Sequence, residues 1–110
     1  MERNVKISIL CQIYEKMLTE KQFEFLNDYY NNDFSLSEIA ENNGITRQAV
    51  RDAIKQGENK LFELEEKLEF MKKTQTQEKQ IKEIIKKIEN IEKKENISLE
   101  NIKSDIEKLV

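Results

Sequence analysis

A chain of 110 residues is long enough for one compact domain, or for a small domain carrying a helical extension. It has no histidine and a single cysteine, Cys11, so zinc sites, most nucleophilic dyads and an internal disulfide are excluded. It also lacks proline and a glycine-rich phosphate loop, and 37% of its residues are charged, with a formal net charge of −3. These features point to a non-enzymatic, all-α protein with no cofactor.

The first predicted helix runs over residues 5 to 17, with Val5, Ile9, Ile13 and Met17 as a stripe beside Leu10, Tyr14 and Leu18. The apolar neighbours of Cys11 favour a buried, unreactive thiol. Thr19 and Gln22 form a capping box that opens a second helix, with Phe23, Leu26 and Tyr30 on one face. Asn31-Asn32-Asp33 ends it as a polar turn. Ser35 and Glu38 repeat the capping box, so a short helix begins at Leu36 with Ile39 and Ala40 facing inward. Gly44 supplies the backbone freedom to end that helix, Ile45 plugs the corner, and Thr46 caps the next. Val50, Ala53 and Ile54 then pack back against the preceding helix. Two helices crossing steeply over a tight turn leave room only for a small side chain at Ala40. The segment therefore reads as a helix-turn-helix.

The division between domains is placed near residue 58, with a helix-turn-helix domain over 1–57 (motif 35–57) and a charged helical extension over 58–110. The extension repeats one apolar spacing of 3, 4, 3 three times: Leu61, Leu64, Leu68, Met71; Ile81, Ile84, Ile88, Ile91; and Leu99, Ile102, Ile106, Leu109. Breaks are expected at Lys72 to Gln77 and at Glu95 to Ser98, with Ser98 as an N-cap. Such short seams are not stable alone in water, so they must pack on one another, on the first domain or on a second copy. A homodimer is the favoured expectation, and a monomer with its tail folded back the alternative. No apolar window of about 18 residues exists, and MERNVKISIL lacks the apolar core of a signal peptide. A cytoplasmic protein without membrane insertion is expected.

At roughly 100° per residue, Arg47, Gln48, Arg51 and Lys55 fall on one arc, away from the packing residues Val50, Ile54, Gly57 and Leu61. A recognition helix needs such an arc. Arginine pairs with guanine O6 and N7, glutamine with adenine N6 and N7, and later cations meet phosphates. Ser37 could offer its hydroxyl and backbone N–H to a phosphate, and Thr46, at the start of the reading helix, is a further candidate contact to nucleic acid. Charge argues against strong binding. Through residue 57 there are seven basic and nine acidic residues, and only the helix from Thr46 to Lys60 is locally positive. In the tail, lysines alternate with glutamates, the pattern of a solvated helix face.

From Leu18 onward, LTEKQFEFLNDYYNNDFSLSEIAENNGITRQAVRDAIKQGENKL resembles the fourth conserved region of bacterial sigma factors, through its L-T-x-x-Q, E-I-A, G-I-T and A-V segments and the K-L that follows. With its length and Glu/Lys-rich tail, the whole chain is similar to the YlxM family of small bacterial proteins. That resemblance implies an all-helical, dimeric protein that regulates or assists targeting by the signal recognition particle. In sigma factors the second motif helix touches bases, and Arg47, Gln48 and Arg51 match those positions. The chain departs from sigma modules at Gln56-Gly57-Glu58, where they continue into an arginine-rich stretch. Three readings stay open: a helix-turn-helix regulator that binds DNA, a protein-interaction module for signal recognition particle proteins, and a binder of the particle's RNA.

Overall fold

The computed structural model describes residues 1–110 and is entirely helical. Its elements are α1 (Arg3–Ile13), a 3-10 turn (Glu15–Met17), α2 (Glu20–Tyr30), α3 (Leu36–Asn43), α4 (Arg47–Leu68), α5 (Phe70–Glu95) and α6 (Glu100–Glu107). Met1–Met71 and Lys72–Val110 form separate compact units.

In the first unit, local signals set the helix ends. Thr19 and Ser35 accept from the backbone N–H groups of Gln22 and Glu38 at 3.1 Å, and both reciprocal capping-box bonds are made. Gly44 closes α3 in the left-handed conformation (φ +63°), where a side chain would be strained, and the Ile45 N–H reaches back to the Ala40 carbonyl at 3.1 Å. Thr46 caps α4 by accepting from the Ala49 N–H at 3.1 Å. Helices α2, α3 and α4 pack on one another, and α1 lies across α2 and α4. Leu26, Ile39, Ala40, Val50 and Ile54 are buried between them.

Four expectations are corrected here. The buried face of α1 is Ile7, Leu10, Cys11 and Tyr14, while Val5 and Met17 are exposed. Apolar residues surround this helix on several sides, and Met17 lies in the 3-10 turn, so spacing alone does not select its inner face. Ile45 does not plug the corner, because its side chain is 40% exposed and Ala40 and Val50 are the buried residues on either side of the turn. No boundary falls at residue 58: α4 runs unbroken to Leu68, and Leu61 and Met71 belong to the first core. Lys72 to Gln77 is helical rather than a break, since that run holds no glycine or proline and is rich in good helix formers.

The interruption lies instead at Glu69, a single left-handed residue (φ +55°) between two long helices. Tyr14, 1% exposed, stabilises this joint. Its hydroxyl donates to Glu65 Oε1 at 2.7 Å and accepts the Phe70 N–H at 3.2 Å, and Glu65 Oε1 also accepts the Met71 N–H at 3.0 Å. Two first-turn N–H groups of α5 thereby gain partners they could not find within the helix. Burial, then the Glu65 bond, push the Tyr14 hydroxyl above the usual phenol range. The Tyr14 ring also stacks on Phe70 at 5.7 Å. Tyr14→Phe keeps the rings and deletes both hydroxyl bonds, so it is expected to destabilise the unit by about 1–3 kcal/mol. An unchanged urea midpoint would show that the hydroxyl contributes nothing. Cys11 is fully buried, and desolvation followed by the nearby Glu15 charge pushes its thiol up to about 11.

The second unit is a helical hairpin in which Gln77 Nε2 donates to the Leu109 carbonyl at 3.2 Å. Ser98 is not the cap of α6. Leu99 holds that position without a side-chain bond, and its N–H is taken by Glu92 Oε2 at 2.6 Å. Lys103 bridges Glu92 and Glu100, each at 2.8 Å. The Lys103 bond, followed by the Leu99 N–H, holds the Glu92 carboxyl below its ordinary range. Ile81 is buried, and Ile85, Ile88, Leu99 and Ile106 are half-buried. Ile84, Ile91, Ile97, Ile102 and Leu109 remain exposed.

Candidate nucleic-acid interface

Helix α4 does two jobs along one 22-residue rod. Its inward stripe (Val50, Ile54, Gly57, Leu61) fills the core, which leaves the opposite arc to solvent. Arg47, Gln48, Arg51 and Lys55 are all exposed on that arc. Arg47, Gln48 and Arg51 come together with Leu36 around a hollow of about 240 Å3. Arg51 and Lys55 line a second hollow of about 390 Å3, with Tyr29, Tyr30, Leu36, Ile54 and Glu58. Ser37 is exposed on the first turn of α3, outside both linings. Thr46 is exposed as well, with its hydroxyl oxygen engaged in capping α4.

Electrostatics sharpen this arc. Arg47, Arg51 and Lys55 form no ion pair, so their charge is available to an incoming anion. Gln48 Nε2 donates to Asp52 Oδ1 at 2.9 Å, which engages one of its two amide hydrogens. Glu58, the acid nearest the arc's far end, is neutralised from below. Arg3 reaches its Oε2 at 3.0 Å, and the Tyr30 hydroxyl donates to its Oε1. Burial, then the Glu58 bond, push the Tyr30 hydroxyl up to about 12, and the same carboxylate raises the Arg3 guanidinium. No group of His, Cys, Asp or Glu is arranged to hold a metal ion.

Sequence reasoning missed Tyr29, Leu36 and the Glu58 network. Gly57 was read as a packing residue, and in the fold it lets Leu26 approach; Glu58, which stood out only as part of a departure from sigma modules, ties α4 to α1 and α2. An acid placed beside the core residues Gly57 and Leu61 was the available signal.

A capped α3, a left-handed glycine turn and a second helix with a cationic outer arc are the parts of a helix-turn-helix. The family model UPF0122, described as "Putative helix-turn-helix protein, YlxM / p13 like", matches residues 1–104. The chain belongs to the UPF0122 family. A UPF0122 protein of Fusobacterium nucleatum subsp. nucleatum is 42% identical over 110 residues, spanning 100% of this chain and 98% of that protein. One from Clostridium kluyveri is 42% identical over 107 residues, 96% of each chain. One from Acetivibrio thermocellus is 42% identical over 92 residues, 84% of this chain and 79% of the relative. UPF0122 membership therefore covers both units, the helical hairpin as well as the motif. No helix of this UPF0122 chain is long and apolar enough to cross a membrane.

Proposed function

We propose that this protein is a non-enzymatic cytoplasmic regulator that binds nucleic acid through the outer arc of α4, in or near protein targeting by the signal recognition particle. The observation that carries the reading is three unpaired cations, Arg47, Arg51 and Lys55, on one exposed face of the second motif helix. Arg47 or Arg51 would pair with guanine, Gln48 with adenine, and Lys55 with a phosphate. The hydroxyl and N–H of Ser37 would meet a neighbouring phosphate, and Thr46 would hold the start of α4 in place. The link to targeting rests on the likeness to YlxM proteins, and the particle's RNA and proteins are the partners it suggests.

With one arginine on guanine, the other two cations neutralise about two phosphates, so affinity should fall with salt with a log–log slope of about −2 per copy. That is a weak grip, and two linked copies would bind far better than one. The test is electrophoretic mobility of duplex DNA and of signal recognition particle RNA, each at two salt concentrations. Arg47→Ala combined with Arg51→Ala is expected to weaken binding at least about tenfold. Undiminished binding by the double variant would remove the arc from the interface.

A second reading concerns the helical hairpin, residues 72–110, as a dimerisation or partner-binding region. Ile84, Ile91 and Ile102 stay about half exposed on the hairpin, which favours burial against a second copy. Light scattering on the eluting protein should give twice the chain mass at micromolar concentration. A monomer mass would leave the exposed isoleucines to a different protein, with those of the signal recognition particle as the first candidates.

A further inference from the structure

We propose that the hollow beside the arc holds one unpaired nucleotide of a single strand, its base against Tyr29 and its phosphate between Arg51 and Lys55. The inference rests on the reading of the arc as a nucleic-acid interface and adds to that interface a site for an unpaired base.

The hollow measures about 390 Å3, within the range of sites that enclose a small ligand. Its lining divides by chemistry. Ile54 and Leu36 are apolar, Tyr29 and Tyr30 are aromatic, and Arg51 and Lys55 are cationic. Arg51 and Lys55 stand four residues apart on α4, so they lie one above the other on the same side of the helix. The one acidic residue in the lining, Glu58, is already engaged by Arg3 and by the Tyr30 hydroxyl, so it offers little repulsion to an anion. Tyr29 is 38% exposed, and its ring meets that of Tyr30 edge-on at 5.0 Å. Since Tyr30 is fixed by Glu58, this contact restrains Tyr29 while leaving much of it accessible.

Each component answers a different part of a nucleotide. A phosphate alone would need the two cations but neither the aromatic wall nor the apolar floor. A small apolar molecule would need the reverse. A paired base is stacked inside its duplex and cannot reach a side chain in a concave site, whereas an unpaired base presents a free face for stacking. The neighbouring hollow, lined by Leu36, Arg47, Gln48 and Arg51, shares Leu36 and Arg51 with this one. The two hollows adjoin along the arc, which favours a nucleotide that is part of a strand over a free metabolite.

The test is fluorescence anisotropy of the full chain with three labelled probes about 12 units long: oligouridylate, oligothymidylate and a blunt DNA duplex. Tyr29→Ala is expected to weaken single-strand binding at least about fivefold and to leave duplex binding nearly unchanged. Tyr29→Phe, which keeps the ring, should bind single strands as the native chain does. A preference for oligouridylate over oligothymidylate would identify RNA as the source of the strand, and the reverse would identify DNA. Single-strand binding that is undisturbed by Tyr29→Ala overturns the proposal. Should Arg47→Ala with Gln48→Ala then still weaken duplex binding, the arc stands and only the hollow falls. If the native chain binds none of the three probes, both readings fall. Tyr29 is a surface residue, so an unchanged melting midpoint for Tyr29→Ala will show that any lost binding does not come from unfolding.

Discussion

A chain carrying Leu26→Ala is expected to lose about 2–5 kcal/mol of stability, a large share of what a small domain has. Leu26 is fully buried on α2, the helix that packs against α1, α3 and α4. Removing its three outer carbons forfeits their transfer out of water and leaves a cavity that four helix backbones cannot collapse to fill. For a unit of this size the melting temperature should fall by at least about 8 °C. A fall of a degree or two would mean that the helices close over the gap, and that the core is far softer than its burial suggests.

Gly57→Val is expected to cost about 3 kcal/mol, for the complementary reason. A Cβ at position 57 would lie 2.8 Å from Leu26 Cδ1 and 3.2 Å from its Cγ. Leu26 is fully buried, and valine adds two methyl groups beyond that Cβ. Helix propensity alone would favour replacing a mid-helix glycine, by as much as about 1 kcal/mol for alanine. The contact with Leu26 explains why glycine stands there. Combining the two sites gives a sharper check, because the single changes share one volume and should not add. With Leu26→Ala in place, Gly57→Ala should become stabilising, recovering up to about 1 kcal/mol of helix propensity. If denaturant unfolding shows Gly57→Ala to have the same effect in both backgrounds, α2 and α4 do not meet at these residues.

Features of the fold that depend on four or five neighbouring residues were legible in the sequence. Thr19 with Gln22, Ser35 with Glu38, Gly44 after α3 and Thr46 before α4 all follow from the need to satisfy backbone groups at a helix end. So did the buried positions Leu26, Ile39, Ala40, Val50 and Ile54, whose spacing matches one helix face. What escaped depends on distant partners. Nothing in the type of Glu69 marks a left-handed residue. The joint there is closed by Tyr14, whose hydroxyl bonds the Phe70 amide 56 positions away in sequence. The Leu61 to Met71 seam has the period of a coiled coil but serves the first core, because periodicity gives the face of a helix and not the identity of whatever covers it. Glu92 displaced Ser98 at the start of α6 by reaching across a turn, which a local capping rule cannot anticipate.

The candidate site follows the same division. The arc of Arg47, Gln48, Arg51 and Lys55 is a property of one helix, and helical geometry alone placed it. The hollow is not, because Tyr29 and Leu36 come from α2 and α3 and meet α4 only after folding. Glu58 is harder still to read, since its neutralisation needs Arg3 from the far end of the unit.

Cys11 carries a consequence for how copies of this chain can associate. It is the single thiol, enclosed on the inner face of α1, and its surroundings disfavour the reactive thiolate. No covalent bridge between folded copies can form without first opening the core. Association between folded copies therefore does not run through a disulfide, and it should not respond to a thiol oxidant or reductant around it.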